Sequence, residues 1–125
     1  MSRTVAIVGA SADRSKFGNK SVRAHARAGW QVFPVHPSAD TIEGLPAFAT
    51  VNAIPHQPID RVSVYLPPAV LMTVLEDIAK NSPGELWLNP GADAPEVVAK
   101  ARSLGLTVIC ACSIIDVGFS PAEFP

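Results

Sequence analysis

The sequence predicts an α/β fold built on one doubly wound parallel sheet. Five short apolar runs alternate along the chain with segments of helical periodicity, and strands joined by helices lie parallel in one sheet. Hydrophobic residues make up 48% of the 125 residues and charged residues only 17%, as is typical of strands buried on both faces. We therefore expect a three-layer sandwich with right-handed crossovers and the strand order 3-2-1-4-5.

A glycine turn between the first strand and the first helix is the strongest functional signal. Thr4–Val8 is an apolar run, Gly9-Ala10-Ser11 follows at once, and the helical segment spans Gly18–Gly29. A helix N-terminus presents unpaired N–H groups and the positive end of its dipole, so it favours a phosphate group. Arg14 and Lys16 add positive charge in the connecting loop. The residues expected to face a phosphate are Gly9, Ala10, Ser11, Arg14, Lys16, Phe17 and Gly18.

Four further strands are predicted by apolar runs that end at proline, glycine or a polar turn. These are Trp30–Val35, Asp60–Leu66, Glu85–Leu88 and Leu106–Cys110. Between the second and third strands we expect a helical turn over Ala47–Val51. Ligands of such sheets bind outside the carboxyl ends of the strands where the strand order reverses, which places the site above the glycine turn.

Two further helices begin at prolines, which are well tolerated in a first helical turn. We expect them over Pro68–Lys80, where apolar residues recur at helical spacing, and over Pro95–Leu104, which Gly105 ends as a C-cap. Residues 113–125 contain two prolines and a glycine and are expected to form a C-terminal turn or tail. Residues 1–125 are expected to be a single domain.

Charge and hydropathy exclude several classes of protein. A net charge of −1 gives no reason to expect a nucleic-acid partner or an acidic membrane surface. No signal peptide is visible, and no window approaches the ~20 apolar residues of a membrane span. Two cysteines, placed two positions apart, fit a reduced cytoplasmic protein.

The glycine turn lacks the signals of the commonest nucleotide sites. An NAD site usually has Gly-x-Gly-x-x-Gly in this turn and an acidic residue at the end of the second strand. Here Gly18 stands nine residues after Gly9, and the second strand ends in Val35-His36-Pro37. A Walker loop is also absent. The longer loop instead leaves space for a bulkier diphosphate ligand.

An ordered set of motifs resembles the small stand-alone CoA-binding proteins, which are similar to the N-terminal CoA-binding domain of the succinyl-CoA ligase alpha subunit. The resemblance covers roughly residues 4–112. The motifs are Val-Ala-Ile-Val-Gly-Ala-Ser (5–11), Lys16-x-Gly18, Gly29-Trp30-x-Val32-x-Pro34-Val35-x-Pro37, Ile42-x-Gly44, Ile54-Pro55, Asp60-Arg61-Val62 and Trp87-Leu88-Asn89-x-Gly91.

The resemblance implies a Rossmann-like fold that holds CoA across the carboxyl ends of the strands. It implies that the diphosphate lies against Gly9, Ala10, Ser11, Lys16 and Gly18. It further implies an adenosine end bordered by Val35, His36 and Pro37, an adjoining wall of Leu66, Pro67 and Pro68, and a pantetheine arm near Asn89 and Gly91.

Two positions depart from the pattern of the relatives. Ser38-Ala39-Asp40 stands where the ligase relatives often carry a lysine, which makes Arg14 the expected contact of the 3′-phosphate. Asn89 stands where the small relatives commonly have glutamine, and its amide is one methylene shorter.

We therefore expect a module that binds CoA or an acyl-CoA and has no catalytic machinery, since no Ser-His-Asp set or carboxylate pair is visible. An NAD(P)-binding oxidoreductase or redox sensor is the alternative, because it uses the same fold. A third hypothesis is an interaction subunit without a ligand. The sequence leaves open a homodimer or another protein partner.

The remaining histidines and cysteines are expected to be structural. His25 and His56 are predicted at the surface. Cys110 and Cys112 are predicted to be buried thiols, the alternative being a mixed disulfide with the CoA thiol. A metal site needs about four ligands, and no second Cys or His pair has suitable spacing.

Overall fold

A computed structural model describes residues 2–125 and contains one five-stranded parallel sheet. Its strands, in chain order, are β1 (Thr4–Val8), β2 (Gln31–Val35), β5 (Arg61–Val64), β6 (Glu85–Leu88) and β7 (Val108–Cys110). Two short strands, β3 (Thr41–Ile42) and β4 (Leu45–Pro46), form a separate antiparallel hairpin between β2 and β5. The predicted strands therefore all form, each trimmed by at most a few residues.

Helices cover both faces of the sheet and make the three predicted layers. They are α1 (Phe17–Arg27), α2 (Pro68–Asn81), α3 (Pro95–Ser103) and the short α4 (Ser113–Asp116). On one face of the sheet, alternate strand residues pack against α2 and α3. On the other face, the intervening residues, such as Val5 and Ile7, pack against Val22 of α1. This alternation follows from the two-residue period of a strand, and the doubly wound, Rossmann-like fold is confirmed.

The strand order along the sheet is β2-β1-β5-β6-β7. The outer place beside β2 is taken by Phe48, whose backbone bridges to Val35 in parallel, so the pattern 3-2-1-4-5 holds when this bridge is counted as the third strand. Arg61–Val64, the strand expected at that place, lies instead on the other side of β1. The chain thus crosses from one side of β1 to the other between Phe48 and Arg61, which opens a crevice above the ends of β1 and β5.

Residues 113–125, predicted as a turn or tail, form α4 and a 3₁₀ turn at Pro121–Glu123. They pack on α1, and Phe124 is only 1% exposed. Arg23 and Arg27 of α1 lie over the Phe124 ring at 5.7 and 4.6 Å. The segment therefore belongs to the helical layer that contains α1.

His25 is buried on α1, so the prediction of a surface histidine is wrong. Its ring lies edge-on to Trp30, with ring centres 5.4 Å apart, and Nδ1 donates to the Ser21 carbonyl oxygen at 2.9 Å. Nε2 has no partner within residues 2–125. Burial is the main cause that lowers the pKa of His25 from 6.5 to about 4, so the ring is neutral in the folded protein.

We expect this histidine to make stability depend on pH. Below pH 6.5 the unfolded chain protonates His25, whereas the folded protein does so only near pH 4. The unfolded state binds more protons in that window, so the free energy of unfolding falls by about 3 kcal/mol as the pH drops through it. Urea unfolding at a series of pH values will show this slope. His25→Phe, which keeps a ring against Trp30, should remove it, and an unchanged slope in the variant would contradict the assignment.

Candidate functional site

A cleft of about 780 Å³ opens at the carboxyl ends of β1 and β5. Its walls are the glycine turn, the start of α1, the segment before α2 and the loop after β6. The lining residues are Gly9, Ala10, Ser11, Ser15, Lys16, Phe17, Gly18, His36, Tyr65, Leu66, Pro67, Pro68, Pro90, Gly91 and Ala92. This volume falls within the range of about 300–1,000 Å³ that is usual for ligand sites.

Two glycines bring the backbone of the cleft together. Gly9 has φ +89°, and a Cβ at this position would lie 2.6 Å from the carbonyl oxygen of Tyr65. A Cβ at Gly18 would overlap the carbonyl oxygen of Gly9. The backbone at the start of α1 therefore contacts the backbone of the turn after β1 directly, with no space for a Cβ between them.

The start of α1 offers free N–H groups to the cleft. Lys16 is the N-cap, and its side chain makes no capping hydrogen bond. Across residues 2–125, the backbone N–H groups of Ala10, Ser11, Phe17 and Gly18 have no hydrogen-bond partner. Together with the helix dipole, these donors form a site suited to an anion.

Short hydrogen bonds order the loop between the turn and α1. The Ser11 hydroxyl accepts from the Asp13 N–H at 3.0 Å, and the Asp13 carboxylate accepts from the Ser15 N–H at 3.0 Å and hydroxyl at 2.6 Å. These bonds from Ser15 are the main cause that lowers the pKa of Asp13, with a smaller contribution from the Lys16 charge. The loop thus has a defined path while its side chains stay exposed.

The two basic residues of this loop have different surroundings. Lys16 lines the cleft and, within the described chain, makes no ion pair. Arg14 is turned away: its side chain is 61% exposed and pairs with Glu43 at 3.4 Å. Arg14 therefore does not line the cleft in this structure, because Glu43, between β3 and β4, brings a carboxylate to it.

A second cavity of about 540 Å³ adjoins the cleft, with which it shares Gly9, Ala10, His36 and Leu66. Its walls are mostly apolar and come from the ends of β1 and β2, the 3₁₀ turn at Val51–Ala53 and α2. The residues not shared with the cleft are Val8, Val35, Pro37, Ala49, Thr50, Val51, Val70, Thr73, Val74, Asp77 and Ile78. The two adjoining cavities at the ends of the strands are together called the bent groove.

Asn89 does not line the groove. Its side-chain amide is buried, donating to the Ser63 hydroxyl at 2.8 Å and the Val64 carbonyl at 3.0 Å, and accepting from the Ser113 N–H at 2.8 Å. These bonds fix the loop whose next residues, including Gly91, form the cleft wall. The role of Asn89 that the geometry shows is to hold that loop.

The structure brings the other predicted site residues together along the groove, and only Arg14 and Asn89 lie outside it. Sequence reasoning missed four residues of the cleft, Ser15, Tyr65, Pro90 and Ala92. In the second cavity it missed Val8, residues 49–51 and the α2 residues. Tyr65 could have been found, because it directly precedes Leu66, the last residue of the predicted third strand, at the sheet edge where the cleft lies. The α2 residues carried no signal, since their apolar spacing indicates only core packing.

The two cysteines are not buried, so that prediction is wrong. Cys110 is exposed at the end of β7, and Cys112 is half-buried as the N-cap of α4. β7 is an edge strand with no neighbour on its outer side, and this leaves its last residue open to solvent.

Comparison with known proteins identifies the family of this fold and groove. Residues 3–117 match the family model described as CoA binding domain. The chain belongs to the CoA-binding domain family. This assignment supports a CoA-related binding module and agrees with the absence of the NAD signals at the turn.

The chain is also similar to solved structures and to a curated protein. A conserved hypothetical protein from Pyrococcus furiosus has a TM-score of 0.83 and 29% identity, over 91% of this chain and 98% of its own. The chain also matches 25% of the length of the dinucleotide forming acetyl-coenzyme A synthetase 1 of Ca. Korarchaeum cryptofilum, solved in complex with phosphate and ADP. That match has a TM-score of 0.76 and 27% identity over 86% of this chain. The uncharacterized protein YneT of Bacillus subtilis (strain 168) is 28% identical over 108 residues, 86% of this chain and 79% of its own.

The helices of this CoA-binding domain are short. Within the described part of the chain, none has both the length and the apolar character needed to cross a membrane.

Proposed function

We propose that this domain binds CoA or an acyl-CoA in the bent groove, with the diphosphate against the glycine turn and the start of α1. The observation that carries the proposal is that Ala10, Ser11, Phe17 and Gly18, whose backbone N–H groups have no hydrogen-bond partner in residues 2–125, line one cleft together with Lys16. Backbone donors and a lysine at a helix N-terminus complement a diphosphate.

The remainder of the groove fits the two arms of the same ligand. The second cavity is apolar and leads away from the turn past Val35, His36 and Pro37, which suits the adenosine. In the other direction the cleft runs past Tyr65 to Gly91, which suits the pantetheine arm. The second strand ends in Val35-His36-Pro37, without the carboxylate that usually holds the ribose of NAD at this position.

Calorimetric titration of the purified protein tests the proposal directly. We expect saturable heat with CoA and none with NADH. Absence of heat with CoA and acetyl-CoA would contradict the proposal, and tight binding of NADH would replace it with the oxidoreductase hypothesis.

Lys16→Ala should weaken CoA binding by about 1–3 kcal/mol, because a charge-assisted contact to the diphosphate is lost. Arg14→Ala is the matched control: it removes an equal charge from the same loop, but one that already pairs with Glu43. Titrations at low salt should show a large loss for the first variant and little for the second. Equal losses would mean that overall charge, rather than contact at the cleft, governs binding.

A further inference from the structure

A chain of buried hydroxyl groups ends at the floor of the cleft. The Ser63 and Ser113 hydroxyl oxygens are 2.7 Å apart, and the Ser113 hydroxyl oxygen is 2.9 Å from that of Tyr65. Ser63 and Ser113 are completely buried, whereas Tyr65 is partly exposed and lines the cleft. The three residues come from β5, the residue after it and α4.

Asn89 sets the direction of hydrogen bonding in this chain. Its Oδ1 must face the Ser113 N–H, which can only donate, and its Nδ2 must face the Val64 carbonyl, which can only accept. The same Nδ2 donates to the Ser63 hydroxyl oxygen at 2.8 Å. Ser63 is therefore an acceptor from Asn89, and its own hydrogen is available for Ser113.

The three hydroxyl groups have one hydrogen more than the bonds between them can use. Two hydrogen bonds connect the three oxygens, so one hydrogen is left without a partner in the chain. An unpaired hydroxyl hydrogen on Ser63 or Ser113 would be buried without water, which is unfavourable. The arrangement that avoids this cost has Ser63 donating to Ser113 and Ser113 donating to Tyr65, which leaves the Tyr65 O–H for the cleft.

The environment of Tyr65 keeps its phenol protonated. Burial raises the pKa of the Tyr65 phenol above 10.0, and the hydrogen bond with Ser113 opposes that rise only in part. The phenol is therefore protonated at neutral pH. Within residues 2–125, Ser113 is the one hydrogen-bond partner of the phenol oxygen, so the Tyr65 hydrogen has no acceptor in the protein.

We infer that Tyr65 is a specificity-determining residue whose O–H donates to a carbonyl oxygen on the pantetheine arm of the ligand. The inference rests on the proposed function, which brings that arm across Tyr65 between the glycine turn and Gly91. Acceptors of this chemistry are the amide carbonyls of the arm and, in an acyl-CoA, the thioester carbonyl. Adenosine 3′,5′-bisphosphate lacks all of them.

Tyr65→Phe removes the hydroxyl and keeps the ring, so its effect should depend on the ligand. We expect affinity for CoA and acetyl-CoA to fall about 2- to 12-fold, the equivalent of one neutral hydrogen bond. Affinity for adenosine 3′,5′-bisphosphate should not change. A loss shared by CoA and acetyl-CoA identifies an amide carbonyl, and a loss confined to acetyl-CoA identifies the thioester carbonyl; both support the inference.

Tyr65 is the single tyrosine of the chain, which provides a second readout. With ¹³Cζ-labelled tyrosine, CoA or acetyl-CoA should shift the one tyrosine resonance, and the bisphosphate should leave it in place. Equal losses for all three ligands in Tyr65→Phe, or no loss for any, would overturn the inference while the unmodified protein still binds CoA. Failure of the unmodified protein to bind CoA would overturn the proposed function, and this inference with it.

Discussion

Gly9→Ala is expected to lower the free energy of unfolding by about 2–5 kcal/mol, because two costs add. Gly9 has φ +89°, which an alanine adopts only with strain. The new methyl group would also lie 2.6 Å from the carbonyl oxygen of Tyr65, the residue that follows β5. Urea unfolding measures the loss, and CoA titration of the folded variant should show weaker binding because the turn must move.

Gly29→Ala is the matched control for this substitution. Gly29 has nearly the same φ, +91°, but nothing lies within 4 Å of the position its Cβ would take. We therefore expect a cost of about 1–2 kcal/mol from the backbone conformation alone, and unchanged CoA affinity. Equal destabilisation of the two variants would show that the close approach at Gly9 contributes nothing.

Gly18→Ala tests the same contact through the sign of its effect. Alanine is about 1 kcal/mol more favourable than glycine in a helix, so helix propensity alone predicts stabilisation. The overlap with the Gly9 carbonyl oxygen predicts the opposite, a loss of about 1–3 kcal/mol. A stabilised Gly18→Ala variant that still binds CoA would contradict the described packing of α1 on the turn.

Arg61→Ala is expected to cost about 2–5 kcal/mol of stability, although Arg61 lies far from the groove. Its side chain is 2% exposed at the start of β5. The guanidinium lies between the rings of Trp30 and Trp87, at 4.6 and 4.2 Å, and bonds to Glu85 at 3.2 Å and Asp116 at 2.7 Å. Truncation would leave a cavity between two indoles and release α4 from β5.

Arg61→Met separates packing from charge in this cluster. Methionine fills most of the same space and also removes Nη1, which has no hydrogen-bond partner in residues 2–125. The carboxylates of Glu85 and Asp116 are partly exposed and can be rehydrated, so we expect the methionine variant to be much more stable than the alanine variant. Equal unfolding midpoints in urea would show that the ion pairs carry the stability.

Local features of the chain were predictable because their causes are local. Apolar runs marked the strands, Pro68 and Pro95 marked helix starts, and Gly9 marked a turn that needs positive φ. The family was also accessible, since the order of motifs around the turn resembles the CoA-binding proteins. Each of these signals depends on residues that are neighbours in the chain.

The differences between Lys16 and Arg14 could not be predicted, because they depend on distant residues. Glu43 comes from a hairpin whose position relative to the loop no periodicity encodes, and it pairs with Arg14 rather than with Lys16. The environment of His25 also involves residues far along the chain, because the charges of Arg61 in β5 and Asp116 in α4 influence its pKa.

The sequence by itself determined the layered fold, the glycine turn and the edge of the sheet where a ligand would lie. Only the tertiary structure decided which side chains of that edge are free to bind. The side-chain amide of Asn89 makes three hydrogen bonds inside the protein. The phenol of Tyr65 lies at the end of a chain of hydroxyl groups, and its hydrogen has no partner in that chain. The physical reason is that segments distant in the chain supply hydrogen-bond and ion-pair partners to some polar groups and not to others. Which groups remain without a partner is decided only when the chain folds.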